Sequence, residues 1–306
     1  MSASPAHSAP AASRALALSL LALANLLWAG NWVIGRVLRD TFDPVTLNFL
    51  RWAGAALVLA PFALPGVLAA RGALRRSAGA LFLLALSGVA VFQSLVYLGL
   101  RSTTAVNAVL FNSTGPIFVL LCSWVIEREH GTRRQVAGML ISLAGILVIM
   151  SRGELGSLLA LDVRAGDAWI LLAMSIWGVY SVLLKRRPPE LGGVAFLFVI
   201  SLAGALMLAP FAALEALRWP GAAAAGGVAY LALFASVAAF ICWNRGVAVV
   251  GANTAGFTLH LLPAFGSVLA MVFLGESFRA FHAAGIATIL VGVVVATRAR
   301  RAGPSG

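Results

Sequence analysis

The chain has 306 residues, of which 61% are hydrophobic and only 10% are charged, and its mean hydropathy is +0.97. Soluble domains carry about 25% charged residues, so this composition excludes a protein whose main solvent is water. The net charge of +12 comes from 22 basic against 10 acidic residues, and the basic residues lie in short gaps between apolar runs. We interpret them as orientation signals and lipid-headgroup contacts, which argues against a nucleic-acid partner.

The N-terminal segment 1–14 is rich in Ser, Ala and Pro and is predicted to be a disordered cytoplasmic tail. A signal peptide is the alternative for the apolar run that follows, but this run continues past twenty residues and has a matching partner later in the chain. Cys122 and Cys242 fall inside apolar runs without the spacing of a metal or redox site, so we interpret them as packing residues.

Apolar runs long enough to cross the roughly 30 Å hydrocarbon core recur along the chain. They are apolar on all sides, unlike the alternating strands of a membrane barrel, so we predict an all-α membrane protein. The ten predicted spans are 15–35, 45–63, 78–98, 105–126, 135–150, 168–186, 192–213, 226–245, 254–274 and 281–297.

The distribution of Lys and Arg predicts the orientation of these spans. With a cytoplasmic N-terminus, the inner gaps hold fourteen basic residues and the outer gaps seven. Both termini are therefore predicted to be cytoplasmic, in a multi-pass protein of the cell inner membrane. The C-terminal segment 298–306 becomes a basic cytoplasmic tail, and the gap 151–167, with Glu154, Asp162 and Asp167, is predicted to face outward.

The chain repeats itself after 147 to 149 residues. The recurring pairs are Ala108/Ala255, Pro116/Pro263, Glu129/Glu276, Gly138/Gly285, Gly145/Gly292, Trp28/Trp177 and Arg36/Lys185, together with Leu59-Ala60-Pro61-Phe62 and Leu208-Ala209-Pro210-Phe211. The repeat divides the protein into two five-helix halves, 15–150 and 168–297. Five is an odd number, so the second half is predicted to be inverted relative to the first. Inverted repeats allow alternating access to a site near the midplane.

Pro116 and Pro263 occupy corresponding spans, where each is predicted to remove a backbone donor and kink its helix. A hinge that moves during transport and a static kink needed for packing are equally consistent with the sequence. The glycine pairs 138/145 and 285/292 are predicted to let helices pack closely.

Several motifs carry a family resemblance: Asn31-Trp32-x-x-Gly35-Arg36 closing the first span, Phe49-x-Arg51-Trp52 in the second, and the Ala…Pro…Glu pattern with its following glycines in both halves. With these motifs the chain resembles the drug/metabolite transporter superfamily, in particular its ten-helix members with two EamA-type domains. The resemblance implies a cytoplasmic-membrane transporter of amino acids, nucleotide sugars or drug-like compounds. Bacterial amino-acid exporters of the YddG type are the functional group that the chain resembles within it.

No Asp or Glu lies at mid-depth in a predicted span, because Glu127, Glu129 and Glu276 all fall at helix ends. Proton-coupled carriers usually place a carboxylate inside the membrane. Four-helix multidrug relatives in the superfamily have one in their first helix, where this chain offers only Asn25 and Asn31. The residues therefore favour transport without strict proton coupling.

Arg51 is the one charged residue well inside a predicted span, and its repeat partner is Ile200, so the fold itself does not require a charge there. A lone membrane charge costs on the order of 3 kcal/mol, so we consider two roles: attraction of a substrate carboxylate, or snorkelling to helix-end carbonyls. His260, three residues before Pro263, is either a substrate or proton site or a neutral link between helices.

Polar and aromatic side chains concentrate in six of the spans, several of them three to four residues apart on one helical face, as Gln93 and Tyr97 are. Amides and aromatic rings can hold an ammonium-and-carboxylate solute without fixed charges, whereas the alternative for each is a hydrogen bond between helices. The predicted substrate-binding residues are Trp28, Asn31, Arg51, Gln93, Tyr97, Asn107, Asn112, Trp177, Tyr180, Trp243, Asn244 and His260.

The sequence thus predicts a carrier of small metabolites, with neutral or aromatic amino acids favoured, that acts as an exporter by alternating access. A proton-coupled exporter of drugs, purines or nucleosides is the alternative. An intramembrane enzyme is disfavoured because His260 and Ser267 lie about two turns apart and no HExxH or GxSxG motif occurs, and a membrane scaffold would not need so many buried polar residues. We expect a monomer in the lipid bilayer that binds a small-molecule substrate, with no cofactor, metal or nucleic acid.

Overall fold

A computed structural model describes residues 11–298 apart from 155, 157–163, 216–220 and 275–278. The described residues form helices and no β-strand, and nine of the helices are long and apolar enough to cross a membrane. Large apolar side chains such as Leu57, Phe62 and Val272 lie exposed on the outer faces of the bundle, as lipid contact requires. The chain is an all-α membrane protein, as the sequence predicts.

The helices of the first half are α1 Ala11–Leu38, α2 Pro44–Ala69, α3 Arg71–Arg76, α4 Ala78–Ser102, α5 Ala105–Asn112, α6 Gly115–Glu127 and α7 Arg133–Met150. The helices of the second half are α8 Ala165–Leu183, α9 Gly193–Ala212, α10 Ala222–Thr258, α11 Leu261–Leu274 and α12 Ala280–Thr297. The short helix α3 follows α2 outside the long spans.

The difference between nine long helices and ten predicted spans arises in α10, which runs for 37 residues. Two helices meet inside it at Gly251, whose φ of 82° and ψ of 159° only glycine adopts readily. Residues before Gly251 form the eighth span, and 252–258 together with α11 form the ninth. Ten spans are therefore present, and α11 is too short by itself to be counted as one.

The fourth and ninth spans are both interrupted, and at equivalent positions. In the fourth, α5 ends at Asn112 and α6 begins at Gly115, and in the ninth the helix stops at Thr258 and resumes at Leu261. When the two halves are aligned with the repeat offset of 147 residues, the two interruptions correspond to within one residue.

Contrary to the expectation from the sequence, Pro116 and Pro263 do not kink continuous helices, because each lies in the first turn of a new helix. Pro116 is the second residue of α6 and Pro263 is the third residue of α11. The first four N–H groups of a helix have no intrahelical partner, so a proline there removes no hydrogen bond and its fixed φ suits the start of a helix. The interruption between two helices takes the place of the predicted kink.

The glycine pairs show how the two halves are related. A Cβ placed on Gly138 would lie 2.5 Å from the carbonyl oxygen of Gly292, and one on Gly145 would lie 2.7 Å from that of Gly285. Gly138 corresponds to Gly285 in the repeat, and Gly145 to Gly292, so each glycine contacts the counterpart of the other. Such reciprocal contacts define a two-fold axis, here between α7 and α12. The predicted inversion and the close glycine packing are both confirmed.

Each half also contains one stretch of π-helix, Leu86–Val91 within α4 and Leu231–Ala238 within α10. A wider helical turn offers carbonyl groups to side chains of neighbouring helices, and such turns occur frequently at functional sites. The side chain of Asn48 on α2 donates to the carbonyl of Val89 at 2.9 Å in the first stretch. Arg51, one turn further along α2, reaches the second stretch.

Two boundaries differ from the predictions. Helix α1 begins at Ala11, so residues 11–14 are helical rather than part of a tail, and Arg14 donates to the carbonyl of Thr297 at 2.5 Å. Asp167 lies in the first turn of α8 and is buried, rather than in an outward-facing loop. The predicted roles of 1–10, Asp162, Glu276 and 299–306 fall outside the described residues.

Candidate functional site

A cavity lies where the two halves meet. The empty space between its walls, counted out to its open mouth, is ≈ 400 Å³. Helices α1, α4 and α5 of the first half line it, together with α8 and the start of α11 in the second half. The lining residues are Trp28, Asn31, Trp32, Phe92, Gln93, Val96, Asn112, Met174, Trp177, Leu259 and Leu262.

The depth of the cavity follows from the helical rise of 1.5 Å per residue. Asn31 lies seven residues before the end of α1 at Leu38, which places it about 10 Å along the axis from that end. Gln93 lies nine residues before the end of α4, or about 14 Å. Both residues lie well inside their helices and away from the helix ends, so the cavity extends into the membrane-spanning part of the bundle.

Arg51 lies directly behind the cavity wall and is 1% exposed. Its Nη1 donates to Asn31 Oδ1 at 3.0 Å and to the Tyr97 hydroxyl at 3.4 Å. Its Nε donates to the Ser236 hydroxyl at 2.5 Å and its Nη2 to the carbonyl of Ala235 at 3.0 Å. One guanidinium thereby joins α1, α2 and α4 of the first half to the π-helical stretch of the second.

The residues bonded to Arg51 are all neutral. Among the described residues the ion pairs lie elsewhere, at helix ends and loops, and include Lys185 with Glu129 at 2.5 Å and Arg101 with Asp43 at 2.6 Å. The charge of Arg51 is therefore solvated by hydroxyl, amide and carbonyl groups and not neutralised by a carboxylate. It leaves a positive potential beside the cavity.

Aromatic rings form one wall of the cavity and continue behind it. Trp28 and Trp177 meet edge to face with ring centroids 5.1 Å apart, and Trp243 lies 5.3 Å from the first and 5.2 Å from the second. Phe240 packs against both cavity tryptophans. Of these four rings, Trp28 and Trp177 line the cavity and provide an apolar surface for a substrate, whereas Phe240 and Trp243 pack behind them.

Asn107 and Asp167 form a polar contact between α5 and α8. Asp167 accepts from Asn107 Nδ2 at 2.8 Å, from the backbone N–H of Arg164 at 2.8 Å and from the hydroxyl of Thr103. Three donors together satisfy the hydrogen-bonding capacity of this buried carboxyl group. Asp167 precedes the apolar part of its span, so the sequence gives no signal that its side chain is buried against Asn107.

His260 occupies the interruption of the ninth span and is fully buried. Its Nε2 donates to the carbonyl of Ser113 at 2.9 Å, and its Nδ1 contacts the hydroxyl of Ser142. Ser113 is its counterpart in the first half, so the two interruptions are bonded to each other. Both ring nitrogens have partners on other helices, and the ring does not line the cavity.

Five of the twelve predicted binding residues line the cavity: Trp28, Asn31, Gln93, Asn112 and Trp177. Arg51, Tyr97 and Trp243 support its wall from behind. The remaining four, Asn107, Tyr180, Asn244 and His260, bond between helices, and Tyr180 donates to Asn244 Oδ1 at 2.9 Å. Some of the predicted residues therefore line the cavity and others bond between helices, which are the two roles that the sequence left open.

The lining residues that sequence reasoning missed are Trp32, Phe92, Val96, Met174, Leu259 and Leu262. Most are apolar residues in apolar spans, so composition gives no signal for them. Met174 is the exception, because it lies three residues before Trp177 and hence on the same helical face. Among the residues that the structure describes, no three His, Cys, Asp or Glu side chains group as a metal site would require.

Comparison with known proteins decides the family. Residues 15–151 and 164–298 each match the EamA-like transporter family, so the match covers most of the chain and occurs once in each half. The chain belongs to the EamA-like transporter family. It is a membrane transporter, and the resemblance drawn from its sequence motifs is confirmed. The intramembrane-enzyme alternative is set aside, because the family and the named relatives are transporters.

Individual relatives are similar over nearly their full length. An "Uncharacterized transporter" of Archaeoglobus fulgidus is 29% identical, over 91% of this chain and 96% of its own. A "Probable terminal-alkyne amino-acid exporter" of Streptantibioticus cattleyicolor is 27% identical, over 91% and 92%. A solved crystal structure with 22% identity aligns with a TM-score of 0.69 over 92% of this chain and 97% of the other, which shows a shared fold.

Proposed function

We propose that this EamA-family transporter exports small metabolites, above all neutral or aromatic amino acids, across the cytoplasmic membrane by alternating access. The observation that carries the proposal is the cavity at the junction of two inverted halves, well inside the membrane-spanning helices. Two halves of opposite orientation can exchange conformations, which opens such a site first to one side and then to the other.

The lining of the cavity supports an amino acid as the substrate. Tryptophan and phenylalanine rings lie beside the amides of Asn31, Gln93 and Asn112, and none of the described lining residues has a charged side chain. Rings and apolar residues suit an uncharged side chain, whereas amides suit the polar groups of the backbone of an amino acid. The Streptantibioticus relative is named as a probable amino-acid exporter, which points to the same substrate class.

The absence of an acidic side chain from the described cavity wall supports transport without strict proton coupling. Asp167, a buried acidic residue, accepts hydrogen bonds from three donors and does not line the cavity, and His260 is bonded through both ring nitrogens away from the cavity. Neither group is arranged to exchange a proton with a bound substrate.

The bias of basic residues supports an inner-membrane protein with both termini in the cytoplasm, and a cavity lined by residues of one chain supports a monomer as the working unit. Cysteines introduced near Arg14 and Arg298 are expected to react with a membrane-impermeant thiol reagent only after the cells are opened. Reaction in intact cells would show that the termini face the outside, which contradicts the proposed orientation.

Counterflow in proteoliposomes tests the transport proposal. Purified protein is reconstituted, loaded with unlabelled amino acid and given labelled phenylalanine or leucine outside, with and without an imposed pH gradient. We expect saturable exchange that does not depend on the gradient. A lack of exchange for a broad amino-acid panel, with exchange of purines or cationic drugs instead, would overturn the substrate class.

A matched pair of variants on α8 connects the flux to the cavity. Met174→Trp places a large ring in the cavity and is expected to abolish counterflow, whereas Leu172→Trp adds the same ring at an exposed, lipid-facing position and should leave it unchanged. Equal flux in the two variants would place the transport path elsewhere.

A further inference from the structure

Trp177, which lines the cavity, has a buried indole donor without a hydrogen-bond partner in the described part of the chain. The residue is 2% exposed. An indole nitrogen can only donate. Buried donors without a partner are rare in folded proteins. Of the described indoles with such a nitrogen, those of Trp52, Trp177 and Trp243, Trp177 is the one that lines the cavity, where a ligand can supply an acceptor.

Asn31 presents a second donor, and its orientation is fixed. Its Oδ1 accepts from Arg51 Nη1 at 3.0 Å and from the hydroxyl of Tyr97 at 3.1 Å. Because arginine only donates, the amide atom that faces Arg51 must be the oxygen, which leaves the NH₂ group on the opposite side. Asn31 lines the cavity, and no described residue accepts a hydrogen bond from this NH₂ group.

Arg51 adds charge to these two donors without entering the cavity. Its guanidinium is bonded to neutral partners only, one of which is Asn31 itself. A buried cation that no carboxylate neutralises favours an anion nearby, and one asparagine side chain separates it from the cavity. The donors and the charge therefore favour the same kind of ligand group.

No corresponding feature exists for a positively charged group. The described cavity wall contains no carboxylate, and its remaining amides are Gln93 and Asn112. The Nε2 of Gln93 is a further buried donor without a geometric hydrogen-bond partner. An ammonium group would meet only aromatic rings and amide oxygens, none of which carries a negative charge.

We infer that the cavity recognises its substrate by a carboxylate, bound by Asn31 and Trp177 with Arg51 as the positioning residue, and that an amino group is not required. This inference rests on the proposed transport function and defines its substrate class as small monocarboxylates with an apolar side chain. Amino acids belong to that class together with the hydroxy and oxo acids of the same shape.

Three probes of similar size separate the recognised groups. 3-Phenyllactate keeps the carboxylate of phenylalanine and replaces its amine with a hydroxyl, and phenethylamine keeps the amine and lacks the carboxylate. In competition against labelled phenylalanine counterflow, phenyllactate should inhibit within about threefold of phenylalanine itself, and phenethylamine at least about tenfold more weakly, because a site built to bond a group rejects analogues that lack it. The reverse order would overturn the inference and leave the amino-acid carrier intact.

Binding in detergent keeps the two proposals distinguishable. The same probes are added to purified protein and the shift in its thermal unfolding is recorded. A shift with phenyllactate and none with phenethylamine supports carboxylate recognition even where phenylalanine is not transported. No shift with phenyllactate, alongside clear phenylalanine flux, contradicts it.

Two tryptophan variants provide a matched test. Trp177→Phe removes the cavity donor and keeps a ring, and is expected to weaken phenyllactate about 3- to 10-fold, the value of one hydrogen bond, while phenethylamine is unchanged. Trp243→Phe is the control, because its Nε1 is also buried and unpartnered but does not line the cavity. An equal loss in the two variants, or an equal loss for both probes, would assign Trp177 a packing role only.

Asn31 and Arg51 are tested by the ratio of the two probe affinities, which a merely structural defect would not change. Asn31→Asp replaces the donor with a negative oxygen and should reverse the preference towards phenethylamine. Arg51→Lys keeps a charge but cannot hold Asn31 and Ser236 together, so the preference for phenyllactate should decrease. An unchanged ratio in both variants would contradict the inference.

Discussion

Trp28 and Trp177 occupy equivalent positions in the two halves, and their rings meet edge to face with centroids 5.1 Å apart. Only one of them has a partner for its indole N–H. Trp28 Nε1 donates to the carbonyl of Ala235 at 3.0 Å, whereas Trp177 Nε1 has none. The repeat therefore supplies two identical side chains, of which one is hydrogen-bonded within the fold and the other has an indole N–H without a partner in the described part of the chain.

Trp28→Phe is expected to lower the free energy of unfolding by about 1 kcal/mol, since it removes a buried hydrogen bond while Arg51 still satisfies the Ala235 carbonyl. Trp177→Phe should leave stability nearly unchanged. Thermal unfolding of both variants in one detergent measures the difference. Greater destabilisation by Trp177→Phe would show that its indole N–H has a structural partner.

Gly138→Ala is expected to destabilise the contact between α7 and α12 by about 1–3 kcal/mol, because its Cβ would lie 2.5 Å from the carbonyl oxygen of Gly292. Gly79→Ala is the control, since a Cβ at Gly79 meets nothing within 4 Å and alanine is favoured in a helix. Unfolding midpoints compare the two. Equal midpoints would mean that the helices separate at little cost.

Pro116→Ala and Pro263→Ala test whether the interruptions move during transport. Alanine fits the first turn of a helix without strain, so stability should stay within about 1 kcal/mol of the parent protein. It also permits the two helices of the span to join into one. We predict a several-fold lower maximum counterflow rate with little change in half-saturation concentration. An unchanged rate would show that neither proline acts as a hinge during transport.

Asp167→Asn is expected to destabilise the fold by about 1–3 kcal/mol, since its amide NH₂ would face donors that now bond a carboxylate. Asp40→Asn, at an exposed position, is the comparison and should have little effect. Counterflow of the Asp167 variant should remain independent of an imposed pH gradient. A gradient-dependent flux in the parent protein that this variant loses would make Asp167 a proton site.

His260→Ala removes the bond between the two interruptions and the contact with Ser142, so we expect lower stability with an unchanged half-saturation concentration for substrate. The ring does not line the cavity, which is the reason that affinity should survive. Unfolding and counterflow measured on one preparation separate the two effects. Gradient-driven accumulation that depends on His260 would overturn the uncoupled mechanism.

The sequence by itself determined the class of this protein. Apolar runs of membrane-spanning length, two series of matching residues and five runs in each half predict an inverted ten-span bundle, because hydrocarbon excludes any other state for such segments. The glycine pairs were predictable as close contacts for the same reason, since small residues in corresponding spans have few other uses.

Tertiary structure decided the roles of individual polar residues. Gln93 and His260 look alike in sequence, each a polar side chain at mid-depth, but one faces the cavity and the other bonds Ser113 of the opposite half. A hydrogen bond between helices and a hydrogen bond to a substrate need the same donor, so residue type does not distinguish them. Only the position of the partner does, and that position is set by the packing of two halves about their shared axis.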